Sequence, residues 1–171
     1  MKKLLVVLVA SLVLLSLVAI PALAGKHGPA GKSNVAHLYL YEKVPSEPWP
    51  IVPGGAWGKM NYKLSGSTFD FVFNGHGLDP NIDYSLIYYP DPWPGNGLIC
   101  LGAGSANEGG NVHIMGAPDT GDLPAEGDTN RGAKIWLVLS DDVECGVRMT
   151  GWNPTEYLFE YDLITFEDTD V

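Results

Sequence analysis

Four carboxylates lie close together in one segment of the sequence and offer the ligand type that calcium prefers. Residues 118–132 (PDTGDLPAEGDTNRG) contain Asp119, Asp122, Glu126 and Asp128. Calcium takes about six to eight oxygen ligands from flexible carboxylates and carbonyls. The spacing does not match the EF-hand pattern. The segment is therefore either an extracellular cation site for Ca²⁺ or an ordinary solvated acidic loop.

Aromatic residues near loops form a second candidate site. Six of them lie in or beside segments rich in proline, glycine or asparagine: Trp49, Trp57, Trp93, Trp152, Tyr88 and Tyr89. Exposed rings with carboxylates and amides nearby can stack on sugar rings, so this set predicts a carbohydrate-binding surface. The alternative is that neighbouring prolines hold the rings against the domain, where they bury apolar area. Trp136 lies in an apolar run and is expected in the core.

A third candidate depends on proteolytic processing. Cleavage after Ala24 would place His27 third in the mature chain. A free amine, two amide nitrogens and a third-position imidazole together enclose Cu(II) or Ni(II) in a square plane. Histidine at this position also arises by chance, so the alternative is a glycine-rich leader without a metal.

Catalytic motifs do not support an enzyme. The sequence contains neither HExxH nor GxSxG, and Gly31-Lys32-Ser33 lacks the earlier glycine of a phosphate-binding loop. With no motif that predicts a mechanism, we expect a non-catalytic protein.

The N-terminal residues predict export. Lys2 and Lys3 precede an uncharged apolar run over residues 4–20, and the small residues of an A-x-A cleavage site end at Ala24. Residues 1–24 are therefore expected to be a cleaved signal peptide, with an uncleaved anchor as the alternative. No second apolar stretch of spanning length follows. The mature chain is expected to lack a membrane span and to be secreted or held at the cell surface.

The charge excludes some partners. Removing the signal peptide removes two lysines and no acid, so the formal charge falls from −10 to −12. Nucleic acids need a basic surface, and anionic membranes attract basic segments. Neither partner fits so acidic a chain.

The two cysteines predict one disulfide. The chain contains an even number of cysteines, Cys100 and Cys145, and it is expected to reach an oxidising compartment. Two separate thiols are the alternative. The spacing is not CxxC, so a redox or zinc motif is not indicated.

Short apolar runs between turn residues predict an all-β fold. We predict eight strands, over residues 35–42, 58–64, 68–74, 84–89, 98–103, 111–116, 133–140 and 157–166. The last run alternates poorly and is expected to bend. The 21 glycines and 13 prolines disfavour long helices. The prediction is a single antiparallel β-sandwich, immunoglobulin-like or jelly-roll-like, over residues 35–171 after a flexible leader at 25–34; a small barrel is the alternative.

Several stretches resemble a set of exported archaeal and bacterial proteins without an assigned activity. The resemblance rests on GAWGKMNYKLSG, FDFVFNGHGL, LIYYPDPWPGNGLICLG and GWNPTEYLFEYDLITF. It implies a secreted β domain and brings no site residues with it.

These observations favour a non-catalytic extracellular or cell-surface β-sandwich with a structural or interaction role. A carbohydrate-binding module and a Ca²⁺- or Cu²⁺-binding protein are the alternatives. The partner is then a surface glycan or another copy of the chain, since the first predicted strand, 35–42, has the β propensity to pair with a neighbouring subunit.

Overall fold

Some strands form where apolar and polar residues alternate, and others form from short apolar runs. The computed structural model of the protein describes residues 33–170. They form twelve strands: β1 (Val35–Tyr41), β2 (Trp57–Lys63), β3 (Ser65–Gly66), β4 (Phe71–His76), β5 (Asp83–Tyr89), β6 (Ile99–Ser105), β7 (Val112–Gly116), β8 (Lys134–Leu139), β9 (Val143–Glu144), β10 (Arg148–Met149), β11 (Leu158–Glu160) and β12 (Glu167–Asp168). In β2 and β4 every second residue is buried, as expected for strands with one face on the core.

Eight strands form one antiparallel sheet in the order β6-β5-β8-β11-β1-β2-β4-β7. The strands β9 and β10 pair separately, and β12 pairs parallel to β3. Residues 33–170 contain no α-helix, only two short 3₁₀ turns. No helix in this part of the chain has the length and apolar character needed to cross a membrane.

Glycines of β6 allow the two ends of the sheet to pack together. A Cβ on Gly102 would lie 2.8 Å from Cγ2 of Ile114 in β7, and one on Gly104 would lie 3.2 Å from Cγ1 of the same side chain. Only glycine fits so close an approach without a shift of the neighbour. The sheet curls into a nearly barrel-shaped form around one core, which confirms the predicted all-β antiparallel fold.

Apolar side chains cover both sides of β8. Ile135 and Leu137 face the interior core, whereas Trp136 and Val138 face outward into a second apolar cluster with Phe159 of β11. Loops cover this outer cluster, with Leu98, Met149 and Tyr157 packed into it. This strand is therefore covered on both sides, and Trp136 is buried in the outer cluster.

The end of the chain differs most from the predicted strands. The predicted strand over residues 157–166 is wrong in its extent, because β11 ends at Glu160. Beyond it, Ile164 bridges to Ala133 and Phe166 bridges to Leu123, each outside a regular strand. The strand is shorter than predicted because the chain bends after Glu160, and the residues that follow leave the sheet to cover the core.

The first strand is central. β1 pairs with β11 on one side and with β2 on the other. It pairs along its whole length with β2 and through Leu40 and Tyr41 with β11, so it is part of its own sheet. The predicted signal peptide and the leader up to residue 32 lie outside the described residues.

Candidate functional site: a tryptophan cleft

Trp152 lies at the centre of an aromatic cluster on the outside of the sheet. Its ring centroid is 5.2 Å from that of Trp93, 6.2 Å from that of Trp49 and 6.2 Å from that of Trp136. We call the surface formed by Trp49, Trp93, Trp136, Trp152 and Phe159 the tryptophan cleft. It comprises two adjoining hollows of about 300 and 490 Å³ that share Trp136 and Trp152, within the usual size of small-ligand sites.

Strands form the floor of the cleft. Trp136 of β8 and Phe159 of β11 are cross-strand partners, with ring centroids 5.2 Å apart. Tyr89 of β5 stacks on Trp136 at 4.0 Å. All three rings are buried, so the floor is apolar and rigid.

Loops form the walls. Trp93 comes from the loop between β5 and β6 and is 52% exposed, and Trp152 follows β10 and is 42% exposed. Trp49, from the loop between β1 and β2, packs edge-on against Phe159 at 5.4 Å. Its backbone has a φ of 60°, in the left-handed region that costs a residue with a side chain about 1–3 kcal/mol. The surrounding fold holds this ring over the floor despite that strain.

Polar groups line one side of the cleft. Lys43, Lys134 and Glu160 border the hollow next to Trp49. Lys43 Nζ donates a hydrogen bond to the Glu160 carbonyl at 2.8 Å, and Lys134 pairs with Asp91 at the mouth of the second hollow. Burial acts against the charge of Asp91, but hydrogen bonds from Lys134 and Asn130 hold its pKa below the ordinary value.

Two polar atoms lie enclosed by protein at the bottom of the cleft. Trp136 Nε1 and Glu160 Oε2 are buried and have no hydrogen-bond partner within the described structure. Burial raises the pKa of Glu160 to about 7, against the weaker opposing effects of a backbone hydrogen bond, of Lys43 and Lys134, and of the nearby Trp136 indole. The indole N–H lies close enough to the Glu160 carboxyl to lower its pKa, and neither atom is open to solvent.

Asp142 fixes the loop that carries Trp152. Its carboxylate accepts hydrogen bonds from the Tyr157 hydroxyl and from Asn153 Nδ2 at 2.7 Å. Its carbonyl accepts from the backbone N–H of Thr150 at 2.8 Å. A Cβ on Gly151 would lie only 1.9 Å from Asp142 Oδ1, so the loop needs glycine there. Asp142 is buried, whereas its neighbour Asp141 is exposed.

The disulfide joins β6, just after the loop of Trp93, to the turn between β9 and β10, just before the loop of Trp152. Cys100 and Cys145 are bonded, with Cα atoms 5.4 Å apart, which confirms the predicted pairing. Around it, Gly97 N donates to the Val147 carbonyl at 2.8 Å and Met149 N donates to the Pro94 carbonyl at 2.9 Å. The loop of Trp93 and the hairpin that precedes Trp152 are thereby held side by side.

Two of the aromatic residues predicted from the sequence do not lie in the cleft. Tyr88 is buried in the interior core, where its hydroxyl donates to Asp128 and accepts from the N–H of Ala125. Trp57 lies on the outer face of β2, where its ring centroid is 4.7 Å from that of His76. The structure thus brings together Trp49, Trp93 and Trp152 with Tyr89 beneath them and separates the other two.

The acidic loop is engaged in holding the fold. Asp128 accepts a hydrogen bond from Tyr88 at 2.7 Å, and Asp122 accepts one from Asp168 N at 2.7 Å. Asp119 and Glu126 are not brought into a shared cluster with them: within residues 33–170, no three His, Cys, Asp or Glu side chains are placed to hold a metal ion. His27, the third residue of the predicted mature chain, lies outside the described residues.

Sequence reasoning missed the polar members of the cleft. Glu160 is the only acid within the apolar run Tyr157-Leu158-Phe159-Glu160-Tyr161, but nothing in the sequence places this run beside the strand of Trp136. The sequence does not mark Lys43 and Lys134 either, because only the pairing of β1 and β8 with β11 brings them to the cleft.

Comparison of the chain with protein-family models, with curated proteins and with solved structures finds no match to any of the three. Function is therefore argued from the cleft itself.

Proposed function

We propose that this protein is a non-catalytic, extracellular or cell-surface carbohydrate-binding protein, and that the tryptophan cleft is its sugar-binding site. The observation that carries the proposal is the pairing of Trp93 and Trp152, two exposed rings from different loops at 5.2 Å, above a floor of buried aromatic residues. Soluble proteins rarely leave such rings exposed together unless the surface binds something.

The polar groups of the cleft match the hydroxyl groups of a sugar. A pyranose ring presents C–H groups on its faces and hydroxyl groups around its edge. The aromatic walls suit the faces, while Glu160 and Lys43, which border the hollow, suit the hydroxyls. A few placed polar groups in a mainly apolar hollow are typical of small-molecule sites.

A separate hollow, which lies outside the tryptophan cleft, is a weaker candidate for the binding site. It has a volume of about 530 Å³ and lies beside β2, β4 and β7. Its charged members, Lys63 and Asp70, form a salt bridge with each other, and the remaining lining is mostly apolar. It therefore offers fewer free hydrogen-bonding groups than the cleft.

Export is part of the proposal. The Cys100–Cys145 disulfide supports an oxidising compartment, since cytosolic thiols are kept reduced. The basic residues, apolar run and small residues at the start of the sequence support secretion in the same way.

The test is retention of the purified protein on cellulose, chitin, xylan and other insoluble or immobilised polysaccharides. We expect retention on at least one of them, and we expect Trp93→Ala and Trp152→Ala each to weaken it about tenfold, because each removes a stacking face. Met115→Ala is the control, since Met115 is 65% exposed and lies on β7 outside the cleft. The proposal is overturned if the protein is retained on none of the polysaccharides, or if it binds a proline-rich peptide instead.

A further inference from the structure

A row of aromatic side chains continues from the floor of the cleft across the outer face of the sheet. Cross-strand pairing places Phe159 of β11 opposite Tyr41 of β1, Tyr41 opposite Trp57 of β2, and Trp57 opposite His76 of β4. Directly paired residues of antiparallel strands point to the same face, with Cβ atoms about 4.5–5.5 Å apart. The row therefore begins in the cleft and ends well outside it.

Much of this continuation is open to solvent. We call Tyr41, Trp57, His76 and Tyr161 the aromatic strip. Trp57 is 39% exposed and Tyr161 is 62% exposed, while Tyr41 and His76 are partly buried. Tyr161 lies against Tyr41 with ring centroids 6.0 Å apart, and its backbone N–H donates to the Tyr39 carbonyl at 2.8 Å.

Hydrogen-bonding side chains flank the strip. His76 Nδ1 is 2.7 Å from Asn111 Oδ1, and on the neighbouring row His113 Nδ1 is 2.8 Å from Asn74 Oδ1. Lys59 lies 5.6 Å from the centre of the Tyr39 ring. Like the cleft, the strip combines ring faces with polar groups at its edges, so both surfaces suit the same ligand chemistry.

The length of the row identifies the kind of ligand. From Trp136 through Phe159, Tyr41 and Trp57 to His76 the row makes four steps between neighbouring strands, which is about 19 Å at the usual strand spacing. This is longer than one sugar ring. Resting on the proposed function, we infer that the ligand is a linear glycan chain of several sugar units: one part enters the cleft, and the rest runs along the aromatic strip.

The experiment compares a hexasaccharide with a disaccharide of the same linkage, taken from a polysaccharide that retains the protein. We expect the wild-type protein to bind the hexasaccharide about tenfold more tightly than the disaccharide in calorimetric titrations. Trp57→Ala and Tyr161→Ala are expected to remove most of that gain and to leave disaccharide affinity within about twofold. Trp93→Ala should weaken the binding of both saccharides, and Met115→Ala should weaken the binding of neither.

The outcomes separate the two proposals. If Trp57→Ala and Tyr161→Ala bind the hexasaccharide as tightly as the wild type does, the strip is not part of the site, while the cleft remains the binding site. If the hexasaccharide and disaccharide bind equally well, the extended ligand is likewise overturned. If no saccharide binds, the proposed function itself fails. Circular dichroism of each variant checks that the sheet is intact.

Discussion

Trp93 and Trp152 meet edge to face at the mouth of the cleft, although they come from separate loops on either side of the disulfide. Neither ring is packed away as an ordinary core residue, since each is more than two-fifths exposed. Their positions depend on residues that do not touch the proposed ligand.

The first prediction concerns Asp142, a positioning residue for the Trp152 loop. Asp142→Ala leaves the Tyr157 hydroxyl and Asn153 without their acceptor, and we expect it to lower the free energy of unfolding by about 1–3 kcal/mol. Urea denaturation measures this. We also expect weaker retention on the polysaccharide that binds the wild type, because Trp152 is no longer held in place.

The neighbouring acid is the control for that prediction. Asp141 is exposed, so Asp141→Ala should leave both stability and retention unchanged. Equal effects of the two substitutions, or none from Asp142→Ala, would contradict the assigned role.

The second prediction concerns pH. Burial raises the pKa of Glu160 from 4.5 to about 7, so between these values the folded protein holds the proton that the unfolded chain has released. Stability must then fall as pH rises through this window. We expect the Tm of the wild type to decline relative to that of Glu160→Gln from pH 4.5 to pH 7, and the difference to become constant above it. Parallel Tm curves for the two proteins would contradict the buried environment of this carboxyl.

The third prediction concerns the disulfide. It closes a loop between residues 45 positions apart, which in the chain-entropy model stabilises the fold by about 4 kcal/mol. The double variant Cys100→Ala/Cys145→Ala should therefore unfold at clearly lower denaturant concentration. Because the bond also holds the loops of Trp93 and Trp152 together, the variant should lose affinity for the glycan.

Reduction provides an independent check on the same bond. Dithiothreitol should lower the stability of the wild type towards that of the double variant and should leave the variant itself unchanged. A wild type insensitive to reductant, with a double variant equally stable, would contradict this role.

Local pattern was enough to predict the architecture. Phe71 and Phe73 at every second position, and the apolar run around Trp136, indicated strands because these patterns are visible in the sequence itself. The poorly alternating final segment was harder to predict. Ile164 and Phe166 are buried there, but they pair through isolated bridges and not in a regular ladder.

The site was only partly predictable. Trp49, Trp93 and Trp152 stood out by residue type and by their loop setting, but nothing local distinguishes them from Trp57, which lies elsewhere. Membership of the cleft depends on strand order, above all on β11 being inserted between β8 and β1. Long-range pairing of this kind leaves no periodic signal, so Glu160 entered the site only when the structure was known.

The two ends of the proposed binding surface rest on different parts of the fold. The cleft depends on loops, which tolerate substitution and insertion. The aromatic strip depends on the registers β11–β1 and β1–β2, where a slip of one residue would turn Tyr41 and Trp57 into the core. We therefore expect substitutions in the cleft loops to leave the sheet intact, whereas the spacing along the strip is fixed by strand register.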